Sequence, residues 1–559
     1  MKIPTAQIIL NYELVYNENP PENRLSILEG VCVEHILYEI AGLNHRLKSK
    51  IQLDFDTTLD SQVRELKHFA RVASTHNIFA KVAAKHTDFR YKNYPLIFNR
   101  PACLFAMEEI INSYELKKIP NYKLDAIGFD KILKYLVAVN SEILKIQNEN
   151  NNNEEEFDLE RFNPPLLPLN DLFVETDIFF TVHRGVKLID YFLKNNRFGK
   201  DVQSYFNEVV RFNSDEYFYR IVNLYIHETS ENDDNLNFHY QIQPEKNQWT
   251  IFDALSIRIK NKETHKLISL KKSPFIKIND EQFILSDNTF LIDKLYYQLI
   301  NDIWFDKIRN IKENGKNKHN IKSYRGLFGS FLESYISEIL TSAFSKYRYA
   351  KLLLFDELKV QTKLGEIEVS DIYLRYNTKI ILGEVKSSNI YDKEKYGGDI
   401  DTLYRNDRNT FFKTFGLNQV VESIKNLQSL MLELDDKFPK GKTVTIYPII
   451  IINDKIFKTP FIAQIFNLRF QELISTLDTK KYRILSLQLI HVNEIERLEE
   501  YLSNNPKEIW EILKVKKKQK GFVPPFEQVV DSVVKTRKPP VKIKNSWIEI
   551  ATRFNKNPQ

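Results

Sequence analysis

From Val369 to Lys386 the chain reads VSDIYLRYNTKIILGEVK, two apolar runs rich in β-branched residues, Ile372–Tyr376 and Lys379–Val385, around the polar pair Asn377-Thr378. That pattern predicts a hairpin with a short turn. A two-residue turn sets Tyr376 opposite Lys379 and, one step beyond the paired run, Asp371 opposite Glu384. Upstream, Leu327, Phe328, Phe331, Tyr335, Ile336, Ile339 and Leu340 recur at three-to-four spacing and predict a helix over Tyr324–Phe344 with Glu333 off the apolar stripe. Downstream, Val420, Ile424, Leu427 and Met431 predict a second helix over Thr410–Leu434, with Gln419 near its start. The run Val444–Ile452 does not alternate, which predicts a strand buried on both faces. Pro448 inside it argues for a bulge or a shorter strand. Strands are also expected over Leu352–Gln361 and Arg483–His491, and a helix over Val492–Leu502.

The remaining pattern divides the chain. Residues 1–146 combine a strand-like start, Gln7–Val15, with helices over Leu25–Leu43, Leu59–Ala73, Pro101–Tyr114 and Phe129–Ile146, a mainly helical domain. Gln147–Glu160, QNENNNNEEEFDLE, is acidic, Asn-rich and nearly free of apolar residues, so 147–163 reads as a linker or loop. Over 164–320 aromatic helix-like stretches precede candidate strands at Phe238–Ile242, Trp249–Ile259 and Lys266–Leu270, a hairpin at Phe275–Leu285 and a helix at Leu291–Ile308, which reads as an α+β domain. The motif domain follows over 321–505. Residues 506–559, with Pro524, Pro525, Pro539 and Pro540, read as an extended basic arm.

Composition narrows the function. The 559 residues are 43% hydrophobic and include 38 Phe and 28 Tyr, enough for several packed cores. Cys32 and Cys103 are the two cysteines, which excludes a disulfide framework and a cysteine-rich zinc module. No signal peptide and no apolar run of about 18 residues occurs, so no membrane partner is expected and the cytoplasm is the expected location. Phosphate-loop, nucleophile-elbow and Rossmann glycine motifs are missing, so an ATP-driven step would need a separate ATPase subunit. The net charge is only +6, so contact with a polyanion must come from local clusters. Three stand out: Lys307–Lys322, Lys393–Lys413, and Lys514–Lys520 with Arg537–Lys544. The second offers Lys393, Lys395, Arg405, Arg408 and Lys413 as phosphate donors in a loop directly after the motif strand.

Opposed carboxylates destabilise a sheet unless a divalent cation sits between them, and Lys386 lies on the same strand face as Glu384. Ser370-Asp371, twelve intervening residues, then Glu384-Val385-Lys386 resembles the PD-(D/E)XK nuclease superfamily, with Ser370 where proline is usual. The resemblance covers about Tyr324 to Leu502. It implies a restriction-endonuclease-like α/β core, a mixed sheet flanked by helices, preceded here by mainly α and α+β domains. It also implies Mg²⁺, with Mn²⁺ able to substitute, held by Asp371, Glu384, the Val385 carbonyl and Glu333. Lys386 would orient or activate water, and Gln419 would stand beside the site, although Ser423 replaces the tyrosine usual four residues later. The expected function is a DNA endonuclease of bacterial defence against foreign DNA, restrained or aimed by its N-terminal half, so that a fragment from Ile321 would cleave by itself. A sensor or ATPase subunit and self-association are left open as partners. The alternatives are a repair, recombination or transposon-end nuclease using the same residues, and a non-catalytic scaffold with a nuclease-like fold.

Overall fold

The computed structural model of the protein describes residues 8–47, 57–87, 94–113, 124–148, 172, 176–229, 249–258, 267–279, 282–362, 365–389, 412–439, 441–458, 462–475, 477, 482–514, 523–534 and 539–556. Helices surround several small sheets in a mixed fold. In the N-terminal part α1 (Val33–Arg46), α2 (Leu59–Phe69), α3 (Ala73–His86), α4 (Arg100–Ser113) and α5 (Ala126–Asn148) share one buried apolar core. The helix expected over Leu25–Leu43 is broken between Leu28 and Val33, where Gly30 takes φ +81°, and α3 had no counterpart among the expected helices. The strand expected over Gln7–Val15 is instead the short helix Tyr12–Tyr16, because the Asn11 side chain accepts the Leu14 N–H and caps it. Ile9 keeps a lone bridge to Leu96.

In the middle segment α6 (Ile178–Leu193) and α7 (Ser214–Thr229) precede a sheet of β1 (Ser256–Arg258), β2 (Phe275–Lys277) and β3 (Phe283–Leu285), the last two forming the expected hairpin. Trp249–Ala254 and Ile268–Lys272 are helical where strands were expected. Apolar runs this short fit either state, and packing chooses. The candidate strand Phe238–Ile242 lies outside the described residues. Leu291–Ile308 is not one helix: it breaks at Lys294, whose ammonium turns inward to Asp302 and the Lys272 carbonyl.

After the ribbon β4 (Lys312–Glu313) and β5 (Lys316–Asn317) comes α8 (Ile321–Phe344), capped by Asn320, whose side chain accepts the Ser323 N–H at 2.8 Å. The chain then lays down β6 (Lys351–Leu354), β7 (Lys359–Thr362), β8 (Gly365–Glu368), β9 (Ile372–Tyr376) and β10 (Lys379–Lys386). The strand expected over Leu352–Gln361 is split by a turn at Phe355–Leu358 that starts with Phe355 at φ +48°. Consequently β7 leaves the sheet and pairs only with β8. Next are α9 (Leu417–Leu434), β11 (Val444–Ile452), α10 (Ile462–Ser475), β12 (Tyr482–Ile484), β13 (Gln488–His491) and α11 (Val492–Asn504). The main sheet runs β6-β9-β10-β11, with β12 and β13 both on the far side of β11. The β6, β9 and β10 contacts are antiparallel, and those of β10, β11, β12 and β13 are parallel.

Pro448 causes neither bulge nor shortening, since β11 keeps continuous register with β10 from Thr445 to Ile452. The Thr445 and Asn453 N–H groups donate to β10-side carbonyls, Thr378 and Lys386. Even-numbered residues of β11 therefore aim their nitrogens at the opposite neighbour. There β12 ends opposite Ile446 and β13 begins opposite Ile449. The missing donor of Pro448 falls in that gap between the two paired strands, so it costs no ladder hydrogen bond.

Strand alternation divides the sheet's side chains between two layers. Leu374, Ile381, Val385, Ile449 and Ile451 pack under α8 and α11, while Tyr373, Ile380, Leu382 and Ile450 pack under α9 and α10. The first layer is continuous with the middle segment: Phe192, Phe198, Trp304 and Ile308 share it with Tyr324 and Phe328. Charge crosses the same junction, with Arg184 Nε 3.1 Å from Glu496 Oε1 and the Tyr335 hydroxyl donating to the same oxygen at 2.6 Å. The C-terminal segment expected as an extended arm is helical at α12 (Phe526–Val533) and α13 (Val541–Lys556). Phe526, Val530, Ile543 and Ile550 are buried, and Arg553 ties α13 to Asp190 of α6 at 3.0 Å. No helix among the described residues is long and apolar enough to cross a membrane.

Candidate active site

The motif hairpin adopts the register read from its turn, Tyr376 facing Lys379 through to Ile372 facing Gly383. Asn377 takes φ +55° in the turn, a conformation asparagine tolerates. Asp371 follows one step beyond the paired run, its N–H donating to the Gly383 carbonyl at 3.1 Å and its carbonyl accepting from Phe355 N at 2.9 Å. Ser370 fixes the approach to the strand, donating from Oγ to the same Gly383 carbonyl at 2.7 Å. Gly383 has no room for a side chain: a Cβ would stand 2.6 Å from Ile449 Cγ1.

These constraints gather the three motif side chains. Asp371 Oδ2 accepts the Val385 N–H at 2.7 Å. Lys386 Nζ lies 2.9 Å from Glu384 Oε2 and 3.7 Å from Asp371 Oδ2. Because the Lys386 carbonyl is taken by Asn453 N of the neighbouring strand, alternation turns the Val385 N–H and carbonyl toward Asp371. Glu384 is 3% exposed, and burial followed by the Asp371 charge pushes its carboxyl up to about 8 despite Lys386. Burial works against the Lys386 ammonium, but Glu384 and Asp371 outweigh it and hold its pKa above the ordinary lysine value. Lys386 is therefore a fixed cation at neutral pH.

Glu333 projects from α8 at the rim of this group. Partial burial, then the charges of Asp371, Glu368 and Asp356, raise its pKa, which puts it among the acids of the site. Glu338, the other acid of that helix, is instead clamped by Lys187 and Lys542 at 3.2 and 3.0 Å. Gln419 lines a cleft of about 110 Å³ with Glu368, Val369, Glu384, Glu422, Ser423 and Asn426. Ser423 spends its hydroxyl on the Gln419 carbonyl at 2.8 Å. The helix expected from Thr410 is interrupted: residues 412–414 are helical, Gly416 at φ +84° breaks the run, and α9 starts at Leu417. Lys413 is exposed just before that break. Lys393, Lys395, Arg405 and Arg408 lie outside the described residues.

Two neighbours escaped the sequence reading. Glu368 ends β8, and its carboxyl is raised by partial burial and by Asp371. Its signal was the acidic GEIE run three residues before Asp371. Gly416 is the second: a Cβ there would sit 2.6 Å from Lys386 Cε and 3.4 Å from Glu384 Cβ. A glycine opening an apolar helical stripe was visible, but the lysine beneath it was not.

Among the described residues no three Asp, Glu, His or Cys side chains converge as a ready-made metal cage. A Mg²⁺ site does not require one, since that ion is commonly held by one or two carboxylates with carbonyl, water and phosphate oxygens completing the shell. Asp371, Glu384 and the Val385 carbonyl supply such a donor set, and Glu333 and Glu368 add negative charge at its edge. No protein-family model, no curated protein and no solved structure matches this chain.

Proposed function

We infer that the protein is a metal-dependent nuclease of the PD-(D/E)XK kind with a restriction-endonuclease-like core, hydrolysing phosphodiester bonds in DNA. One observation carries this reading: a buried Glu384 faces Asp371 across a hairpin while Lys386 Nζ stands against both carboxylates. Two acids pressed together in a sheet destabilise the fold, and a buried carboxyl raised as that of Glu384 is belongs to the kind that clusters at functional sites. Asp371, Glu384 and the Val385 carbonyl would hold Mg²⁺ or Mn²⁺, with Glu333 at the edge of the shell. When bound, the ion would polarise the phosphate and acidify a water.

The chain's own groups divide the remaining work. Lys386 would act as the group that orients or activates the attacking water and offsets charge developing on the phosphorus oxygens. Gly416 leaves the space in which that side chain lies. Gln419, which lines the cleft, would hydrogen-bond a substrate or water oxygen. The N-terminal half is taken to restrain or aim the cut, as defence against foreign DNA requires of an enzyme that shares a compartment with its own genome. The test is incubation of the purified full chain with plasmid, linear duplex, single-stranded DNA and RNA, each with Mg²⁺, Mn²⁺ or chelator. Metal-dependent scission that Asp371→Asn and Glu384→Gln abolish is expected. Equal cleavage by wild type and both variants would overturn the reading.

A further inference from the structure

Between Ile303 and Arg325 the chain carries seven Lys or Arg against two acids, Asp306 and Glu313, while the excess over the whole protein is +6. Two of the seven, Lys312 and Lys316, stand on the ribbon β4–β5 with Glu313 opposite Lys316, and Lys318 follows directly after it. Asn314 and Gly315 form its tip at φ +51° and +78°, the left-handed pair that closes a two-residue hairpin. A ribbon this short with no apolar face does not hold itself up. Its base is anchored: Asp201 accepts from Lys318 Nζ at 2.9 Å and lies 2.7 Å from His319 Nε2, and Lys307 pairs with Glu208. Every residue from Lys312 to Lys318 is exposed. Two lysines thus root the ribbon, whereas Lys312, Lys316 and Lys322 face solvent and, among the described residues, form no ion pair. Exposed lysines without an ion pair on and just after a rooted projection contribute little to the fold and suit a polyanion.

Position says which polyanion. The ribbon leads directly into α8, where Lys322, Arg325, Gly326, Gly329 and Glu333 follow at three-to-four spacing along one face. That face ends at the candidate active site: a Cβ on Gly329 would be 3.6 Å from Ser387 Oγ, and Ser387 follows Lys386. A Cβ on Gly326 would meet nothing within 4 Å, so neither glycine is demanded by packing inside the chain. From Ile321 to Gly329 the helix rises roughly 12 Å, which is about three to four base pairs of duplex at ~3.4 Å each.

We propose that β4–β5 and the outward face of the first turns of α8 form a phosphate-binding wing that grips duplex DNA beside the cut, on one side of the scissile bond. This rests on the nuclease reading and adds where the substrate lies. The full-length variant Lys312→Ala/Lys316→Ala/Lys322→Ala is compared with wild type by fluorescence anisotropy on a duplex oligonucleotide in chelator, over a salt series. All three side chains are exposed, so circular dichroism is expected to be unchanged. The slope of log affinity against log salt should flatten by ~0.9 per lost contact, about two to three in total. Cleavage with Mg²⁺ should lose its low KM and keep kcat, and the triple Lys→Arg variant should restore both affinity and slope. If wild type binds and cuts duplex while the Ala variant shows the same slope and KM, the wing is wrong and the nuclease reading stands. If the full chain binds and cuts no nucleic acid, both fall. Wing-dependent binding confined to single strands, RNA, anionic vesicles or an acidic peptide would also overturn the duplex assignment.

Discussion

Replacing Glu384 by Gln should kill cleavage and yet stabilise the metal-free protein at alkaline pH. Burial and Asp371 lift the Glu384 carboxyl from 4.5 to about 8 in the folded chain. Between those values the folded state keeps a proton that the unfolded state has released, so raising pH favours unfolding. The stability this group contributes is whole below about pH 4.5, erodes as pH rises toward 8 and is gone above it. At about 1.4 kcal/mol per pH unit the span caps the loss at ~5 kcal/mol. Gln is neutral at every pH and keeps the shape of the protonated acid, so wild type and variant should unfold alike near pH 4.5. By pH 9 they should differ by several kcal/mol in the variant's favour, read from urea midpoints by circular dichroism with chelator present. Mg²⁺ at pH 8 should raise the wild-type midpoint and leave the variant's unchanged, because binding takes the carboxylate form. A stability difference that is flat with pH, or that grows in favour of wild type as pH rises, would refute the assignment of Glu384 as a strained buried acid.

Four further outcomes follow from the same geometry. Gly416→Ala should cost about 1 kcal/mol for its left-handed backbone and displace Lys386, lowering the rate of plasmid nicking ~100-fold; a rate within twofold of wild type would separate Gly416 from the lysine. Glu333→Gln and Glu368→Gln should each weaken Mg²⁺ binding by about 10-fold or more in calorimetry, while Glu338→Gln, whose acid is held by Lys187 and Lys542, should leave binding and cleavage unchanged. Asp435→Ala strands the buried Arg375, which now pairs with it at 2.9 Å, and should cost ~3–5 kcal/mol in thermal or urea unfolding without changing Mg²⁺ affinity. A fragment starting at Ile321 should be insoluble or molten, since it uncovers the face of α8 that packs on Phe192, Phe198 and Trp304; a folded, active fragment would show that this shared core is dispensable and restore the expectation of a self-sufficient nuclease domain.

The sequence by itself determined the motif hairpin, its register and the opposition of Asp371 to Glu384, because a two-residue turn and strand alternation are local rules that act within about fifteen residues. It also determined that α8, α9 and β11 exist and of what type they are, since their long apolar patterns fit one state each, while the start of α9 and the harmlessness of Pro448 in β11 were decided by the fold. Short or ambiguous runs were decided elsewhere. Ile268–Lys272 is helical and Leu352–Gln361 splits around Phe355, since a few apolar residues fit either state until neighbours pack on them. Prolines at 524, 525, 539 and 540 suggested an extended arm, but Phe526, Val530, Ile543 and Ile550 gain more from burial as helices. Only the tertiary structure could bring Glu368 and Gly416 to the neighbourhood of Lys386, clamp Glu338 between Lys187 and Lys542, and merge the middle segment with the sheet in one core. Each of those facts is a contact between segments distant in the chain or across a turn, and no periodicity records which faces will meet.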